Sequence, residues 1–140
     1  MRILVVEDDI PLERAIVTAL NQAGHEVTSA QCLRDGMMIV RDNVDEIDLI
    51  ITDVLLPTYA DSPRPDGSGL EIVRDLLYRD NGAEHLKPLY VHSSDTMDHG
   101  IDIANWLKEK YPSAIFQKKD WDSEVTTQNV LDFVTGQNSM

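Results

Sequence analysis

The sequence predicts one α/β domain built on a five-stranded, doubly wound parallel sheet with helices on both faces. Three observations carry this. Short apolar runs alternate with helix-period segments from one end of the 140 residues to the other. The first, third and fourth runs are apolar at successive positions, as strands buried on both faces must be. Each run is separated from the next by enough chain for a helical crossover, which parallel neighbours require. By length the chain, 1–140, is a single domain, large enough to bury a core without disulfides or structural zinc.

Taken in order, Ile3 to Val6 is the first strand, and Asp9 is placed to cap a helix that Pro11 opens. Leu12, Ala15, Ile16, Ala19 and Leu20 then recur at the spacing of one helix face. Glu26 to Ala30 is the second strand, and Leu33, Met37 and Val40 make a shorter stripe after it. Leu49 to Thr52 is the third strand. An extended loop, 54–67, follows, carrying Pro57, Pro63, Pro65 and a closing Asp66-Gly67, and is read as a surface insertion or a partner contact. Leu70, Val73, Leu76 and Leu77 mark the third helix, with Ser68 and Glu71 spaced as a capping box. Leu89 to His92 is the fourth strand, with Ser94 or Asp95 as a cap before a helix traced by Ile103, Trp106, Leu107 and Lys110. Ala114 to Gln117 is the fifth strand, and Val130, Leu131 and Val134 mark a last helix ending near Thr135, with 136–140 as a short tail. No repeat, low-complexity segment or interdomain linker interrupts this order.

Twelve Lys and Arg against 25 Asp and Glu leave a net charge of −13. That charge repels phosphate backbones and anionic lipid, so the expectation is no direct DNA binding and no membrane contact. The lone Cys32 forms no internal disulfide and suits a small buried apolar position in a cytoplasmic protein.

In open α/β sheets, ligands bind beyond the carboxyl ends of the strands. The residues there are Glu7, Asp8 and Asp9, then Asp53, then Ser93 and Ser94, then Lys118 and Lys119. Converging carboxylates disfavour their own ionisation unless a cation sits among them, and hard oxygen donors point to Mg²⁺. A hydroxyl and an ammonium beside them would stabilise phosphoryl oxygens. His92, beside Ser93, could serve as a metal ligand but reads first as a hydrogen-bonded core or edge histidine, and His25 and His99 read as surface residues. Gly67-Ser68-Gly69 is a turn and cap rather than a phosphate loop, since no Gly-Lys-Ser or Gly-Lys-Thr follows.

These residues resemble the receiver domain of two-component response regulators over essentially the whole chain. The matching segments are Ile3 to Asp9, Leu49 to Pro57 with proline four residues after Asp53, Pro88 to Ser94, and Phe116 to Trp121. The resemblance implies the flavodoxin-like (βα)5 receiver fold with strand order 2-1-3-4-5. It implies that Asp53 accepts a phosphoryl group from a phosphohistidine donor. It also implies that Asp8 and Asp53 bind Mg²⁺, that Glu7 holds a metal-bound water, and that Leu55 offers its backbone carbonyl. Ser93 and Lys119 would contact the phosphoryl group, and Phe116 would change rotamer as Ser93 moves. Asp120 stands where the family usually has proline, which keeps Lys118 open beside Lys119, and Asp8-Asp9 stays open beside Glu7-Asp8.

The function expected is that of a stand-alone response regulator. Its partners would be a sensor histidine kinase or histidine phosphotransfer protein and a downstream protein target, and its only chemistry self-phosphorylation and self-dephosphorylation, not enzymatic turnover of a separate substrate. A receiver-like adaptor working without phosphorylation is the alternative, and an Mg²⁺-dependent aspartyl phosphatase a third, with little room for a substrate cap. Leu55 cannot orient an attacking water whereas Asp95 could, which predicts moderate to slow loss of the phosphoryl group.

Overall fold

A computed structural model describes residues 1–78, 87–94 and 98–138. Among them lie the strands β1 (Arg2–Val6), β2 (Glu26–Ala30), β3 (Leu49–Asp53), β4 (Leu89–Ser93) and β5 (Ile115–Lys118). The helices are α1 (Ile10–Gln22), α2 (Leu33–Asn43), α3 (Leu70–Tyr78), α4 (Asp98–Lys110) and α5 (Ser123–Asn138). The four pairings within this five-stranded sheet are parallel and the order is β2-β1-β3-β4-β5, as expected.

Alternation along the strands divides the core in two. Ile3, Val5, Leu49, Ile51 and Tyr90 pack with Leu12, Ile16 and Leu20 of α1 and Val130 and Val134 of α5. Leu4, Val6, Ile50, Leu89 and Val91 face the other way, onto Leu33 and Val40 of α2, Ile72, Val73 and Leu76 of α3, and Leu107 of α4. β3 lies at the sheet centre and is buried along its whole length, so Asp53 emerges at a point fixed from both sides.

Local chemistry sets the boundaries. Asp9 accepts the Leu12 N–H at 3.2 Å and caps α1, the role expected of it. Gly24, at φ +92°, turns the chain into β2 in a conformation that side chains disfavour. The expected capping box is only half formed: Ser68 Oγ accepts the Leu70 N–H at 3.2 Å, but Glu71 turns to Arg74 at 2.8 Å. The apolar stripe of α4 ends on buried Tyr111, whose hydroxyl donates to the Lys87 carbonyl, and not on exposed Lys110. β5 begins one residue later than the pattern indicates, and α5 runs on to Asn138, absorbing the start of the expected tail. His25 is half-buried against the amino terminus, with Nδ1 at 2.9 Å from it, so it is not a free surface residue. Asp95 lies outside the described residues, as does the side chain of His99. Among the described residues no helix is long and apolar enough to cross a membrane.

The long loop is tied down at both ends. Leu55–Leu56 pairs antiparallel with Gly67–Ser68, closing it as a small ribbon beside the end of β3. Cys32, buried at the N-cap of α2, offers no side-chain cap, and the loop replaces it. The Leu33 N–H donates to the Pro57 carbonyl at 2.8 Å and the Arg34 N–H to that of Thr58 at 2.9 Å. Two of the helix's orphan donors are thus satisfied by the loop. Asp66 closes the turn by accepting the Thr58 N–H at 2.8 Å.

Candidate functional site

The carboxyl edge of the sheet gathers side chains from β1, β3, β4 and β5. Lys119, the first residue after β5, sends its ammonium between two carboxylates, 2.6 Å from Asp53 Oδ2 and 2.8 Å from Glu7 Oε1. Its backbone is fixed independently. The Lys119 N–H donates to the Ser93 carbonyl at 2.8 Å, and the turn beyond is held by Thr126 Oγ1, which accepts from Asp120 N–H at 2.9 Å. Asp122 then caps α5, accepting the Glu124 N–H at 2.9 Å. This turn needs no proline after the lysine; Asp120 serves it.

Glu7, Asp8 and Asp53 each offer a carboxylate oxygen, all within 4.8 Å of one another. Glu7 is fully buried and Asp53 is 4% exposed, while Asp8 faces solvent. Three carboxylates against one ammonium leave an excess of two negative charges. The electrostatics register it: burial and then the charge of Glu7 push the Asp53 carboxyl up to about 7, against the pull of Lys119. Burial and Glu7 also raise Asp8. Burial works against the charge of Glu7 too, yet hydrogen bonds and charge from His92 and Lys119 hold its carboxyl below the usual range. Burial opposes the charge on Lys119, but Asp53 and Glu7 together raise it further. A hard divalent cation suits this donor set in both charge and ligand type.

Geometry separates the alternatives that the sequence leaves open. Lys119 enters the cluster, whereas Lys118 is exposed and paired in register with Ser93. Asp9 stays out of it and caps α1, although its N–H reaches Glu7 Oε1 at 3.2 Å. Ser93 ends β4 fully buried. Leu55 is partly exposed, and its N–H donates to Asp53 Oδ1 at 3.3 Å. Phe116 is not in the cluster; it is half-buried on the α2–α4 side of the sheet, paired with Val91.

His92 is the hydrogen-bonded core histidine expected, and its partner also makes it a member of the cluster. His92 is fully buried on β4, and its Nε2 lies 2.9 Å from Glu7 Oε2. The signal in the sequence is a histidine inside an otherwise apolar strand, together with a glutamate after β1 that reaches one methylene further than aspartate. A cleft of about 820 Å³ opens beside the cluster, lined by Asp9, Leu12, Lys119 and Trp121 among others. Trp121 is fully exposed at its rim.

No protein-family profile matches the sequence. Over 85 residues, 57% of this chain, it is 34% identical to a probable transcriptional regulatory protein of Picosynechococcus sp.. That match covers 31% of the relative, so the chain spans about a third of its length. Solved structures align over nearly the whole chain. The chemotaxis response regulator CheY4 of Vibrio cholerae is 19% identical, with a TM-score of 0.68 and 94% of this chain and 97% of that one covered. The non-phosphorylated HemR receiver domain of Leptospira biflexa is 20% identical at a TM-score of 0.70, with 95% and 93% covered. The receiver domain of the hybrid histidine kinase CckA is 21% identical at 0.62, with 95% and 98% covered. The chain has the fold of response regulator receiver domains.

Proposed function

We propose that this domain takes a phosphoryl group on Asp53 from a phosphohistidine donor and signals by changing its affinity for a protein target. The observation that supports this most is the placement of Asp53 between Lys119 and the Glu7–Asp8 pair, at the carboxyl edge of a receiver-type sheet. In the reaction a carboxylate oxygen of Asp53 attacks phosphorus, a P–O bond forms, and the P–N bond to the donor imidazole breaks. The imidazole leaves with its electron pair and takes a proton. Lys119 stabilises the phosphoryl oxygens, and Ser93, at the end of β4, is the hydroxyl that reports the new group. Phe116 relays that movement on the far side of the sheet.

Asp8, Asp53 and the Leu55 carbonyl would hold Mg²⁺, with Glu7 acting through a bound water. The ion would supply the two missing positive charges and keep Asp53 ionised as nucleophile. The domain does no turnover of its own beyond gaining and losing the phosphoryl group. Its working place is the cytoplasm, with a histidine kinase or phosphotransfer protein as donor, and its net charge of −13 favours a protein target over DNA or membrane.

Intact mass after incubation with a small acyl phosphate checks the reading. One added phosphoryl group is expected with Mg²⁺ and none when the metal is chelated. No gain under either condition would favour the phosphorylation-independent adaptor, and steady hydrolysis of phosphomonoesters the phosphatase.

The lifetime of the modified state follows from Leu55. Its backbone N–H reaches Asp53, but its exposed apolar side chain offers an attacking water no hydrogen bond. Leu55→Asn is expected to speed loss of the phosphoryl group severalfold, followed as the decay of the phosphorylated mass. An unchanged decay rate would show that water is positioned elsewhere.

A further inference from the structure

We propose that His92 is a positioning residue for the acidic site: its Nε2–H clamps Glu7, and keeps it fixed when Lys119 turns to a phosphoryl group on Asp53. The inference rests on the proposed phosphoryl chemistry and adds to it a permanent partner for Glu7.

Glu7 has three donors. Oε1 accepts from Lys119 Nζ at 2.8 Å and from the Asp9 N–H at 3.2 Å, while Oε2 accepts from His92 Nε2 at 2.9 Å. An ionised carboxylate can only accept, so Nε2 carries the hydrogen. In the neutral ring Nδ1 is then a bare acceptor, and among the described residues it has no partner. A fully buried ring with half of its polar atoms unpaired is costly in an ordinary core. The contact it does make runs from β4 to the end of β1, two strands away across β3. Tyr90 meets the ring edge-on, centroids 5.7 Å apart at 75°, and fixes its plane.

The two charged or polar partners of Glu7 differ in mobility. Lys119 is a long, flexible chain that already divides its ammonium between Glu7 and Asp53. Once Asp53 carries phosphoryl oxygens, the ammonium is drawn to them and its hold on Oε1 weakens. The imidazole, enclosed on β4, cannot follow. Without it Oε2 would lie in the interior with no donor, and the carboxylate would turn away from its place beside Asp8. A partner that fixes a metal-site carboxylate in this way commonly governs metal affinity.

Mg²⁺ titrations of the full chain, followed by backbone amide NMR or calorimetry, test this with and without beryllofluoride as a stand-in for the phosphoryl group. The variants are His92→Val, His92→Gln, which keeps an N–H at the same reach, and Asp8→Asn. Wild type is expected to bind and Asp8→Asn to lose binding. His92→Val is expected to bind at least about 10-fold more weakly, more so with beryllofluoride, and His92→Gln to return to within about threefold of wild type. Wild-type affinity in His92→Val, or a His92→Gln as weak as His92→Val, would overturn the role given to His92. Absence of Mg²⁺ binding by wild type would instead overturn the metal site itself.

Discussion

Asp53→Asn is expected to make the metal-free protein more stable than wild type. Asp53 is 4% exposed, and burial followed by the charge of Glu7 raises its carboxyl from 3.8 to about 7. In the unfolded chain the same carboxyl ionises near its ordinary value. Between the two values the folded state therefore binds more protons, and stability falls as pH rises through that window. Asparagine removes this loss. The stabilisation should appear above pH 4, grow to about pH 7 and level off there, with an upper end of about 4 kcal/mol for a carboxyl raised this far. His92, whose value burial lowers, acts in the opposite sense over part of this range, but it is present in both proteins and largely cancels in their difference. Denaturation by urea in the presence of a chelator, at several pH values, checks the expectation. Saturating Mg²⁺ should reverse the order, since it stabilises the protein that binds it. A substitution that destabilises at every pH would show that the Asp53–Lys119 pair outweighs the crowding of negative charge.

Gly69→Ala is expected to cost more than about 3 kcal/mol, above the usual range for an added methyl in a core. A β-carbon at Gly69 would lie 1.9 Å from the Asp53 carbonyl oxygen and 2.7 Å from Thr52 Oγ1. Neither neighbour can yield cheaply. β3 is held by pairing on both sides, the Val54 N–H donates to the His92 carbonyl at 3.0 Å, and the Gly69 N–H donates to that of Val54 at 2.8 Å. The start of α3 would have to move off the sheet, pulling the chain away from Asp53. Gly136, within α5, has open space around it, and Gly136→Ala should be neutral or stabilising by up to about 1 kcal/mol. Paired denaturation curves check both. A Gly69→Ala loss under about 1 kcal/mol would mean that α3 is not seated against β3 in solution.

The sheet was legible because its strands are short apolar runs and its helices keep one apolar face. The same alternation splits residues such as Leu4 and Val5 onto opposite cores. Much of the site was legible for a related reason: the fold brings together whatever ends or follows its strands, as Asp8 and Asp53 do. The register of the acid pair and of the lysine needed the structure, which brings Glu7 and Lys119 in. Contacts without a local signature were not legible. Nothing near Cys32 announces that Pro57 and Thr58 cap α2. His92 meets Glu7 from 85 residues away and two strands over, so its part in the site depends on side-chain reach and not on spacing. Glu71 left its capping position because Arg74, one turn on, offers it a charged partner.

Whether the phosphoryl group sits on Asp53 is decided by chemical trapping. After incubation with Mg²⁺ and a small acyl phosphate, borohydride displaces phosphate from an aspartyl phosphate and reduces that carboxyl to an alcohol, which peptide mass mapping then locates. Reduction is expected at Asp53 and at no other acid, and none in Asp53→Asn. Reduction at Glu7, Asp8 or another residue, or a phosphorylated protein with no trapped acid at all, would contradict the assignment of Asp53 as phosphoacceptor.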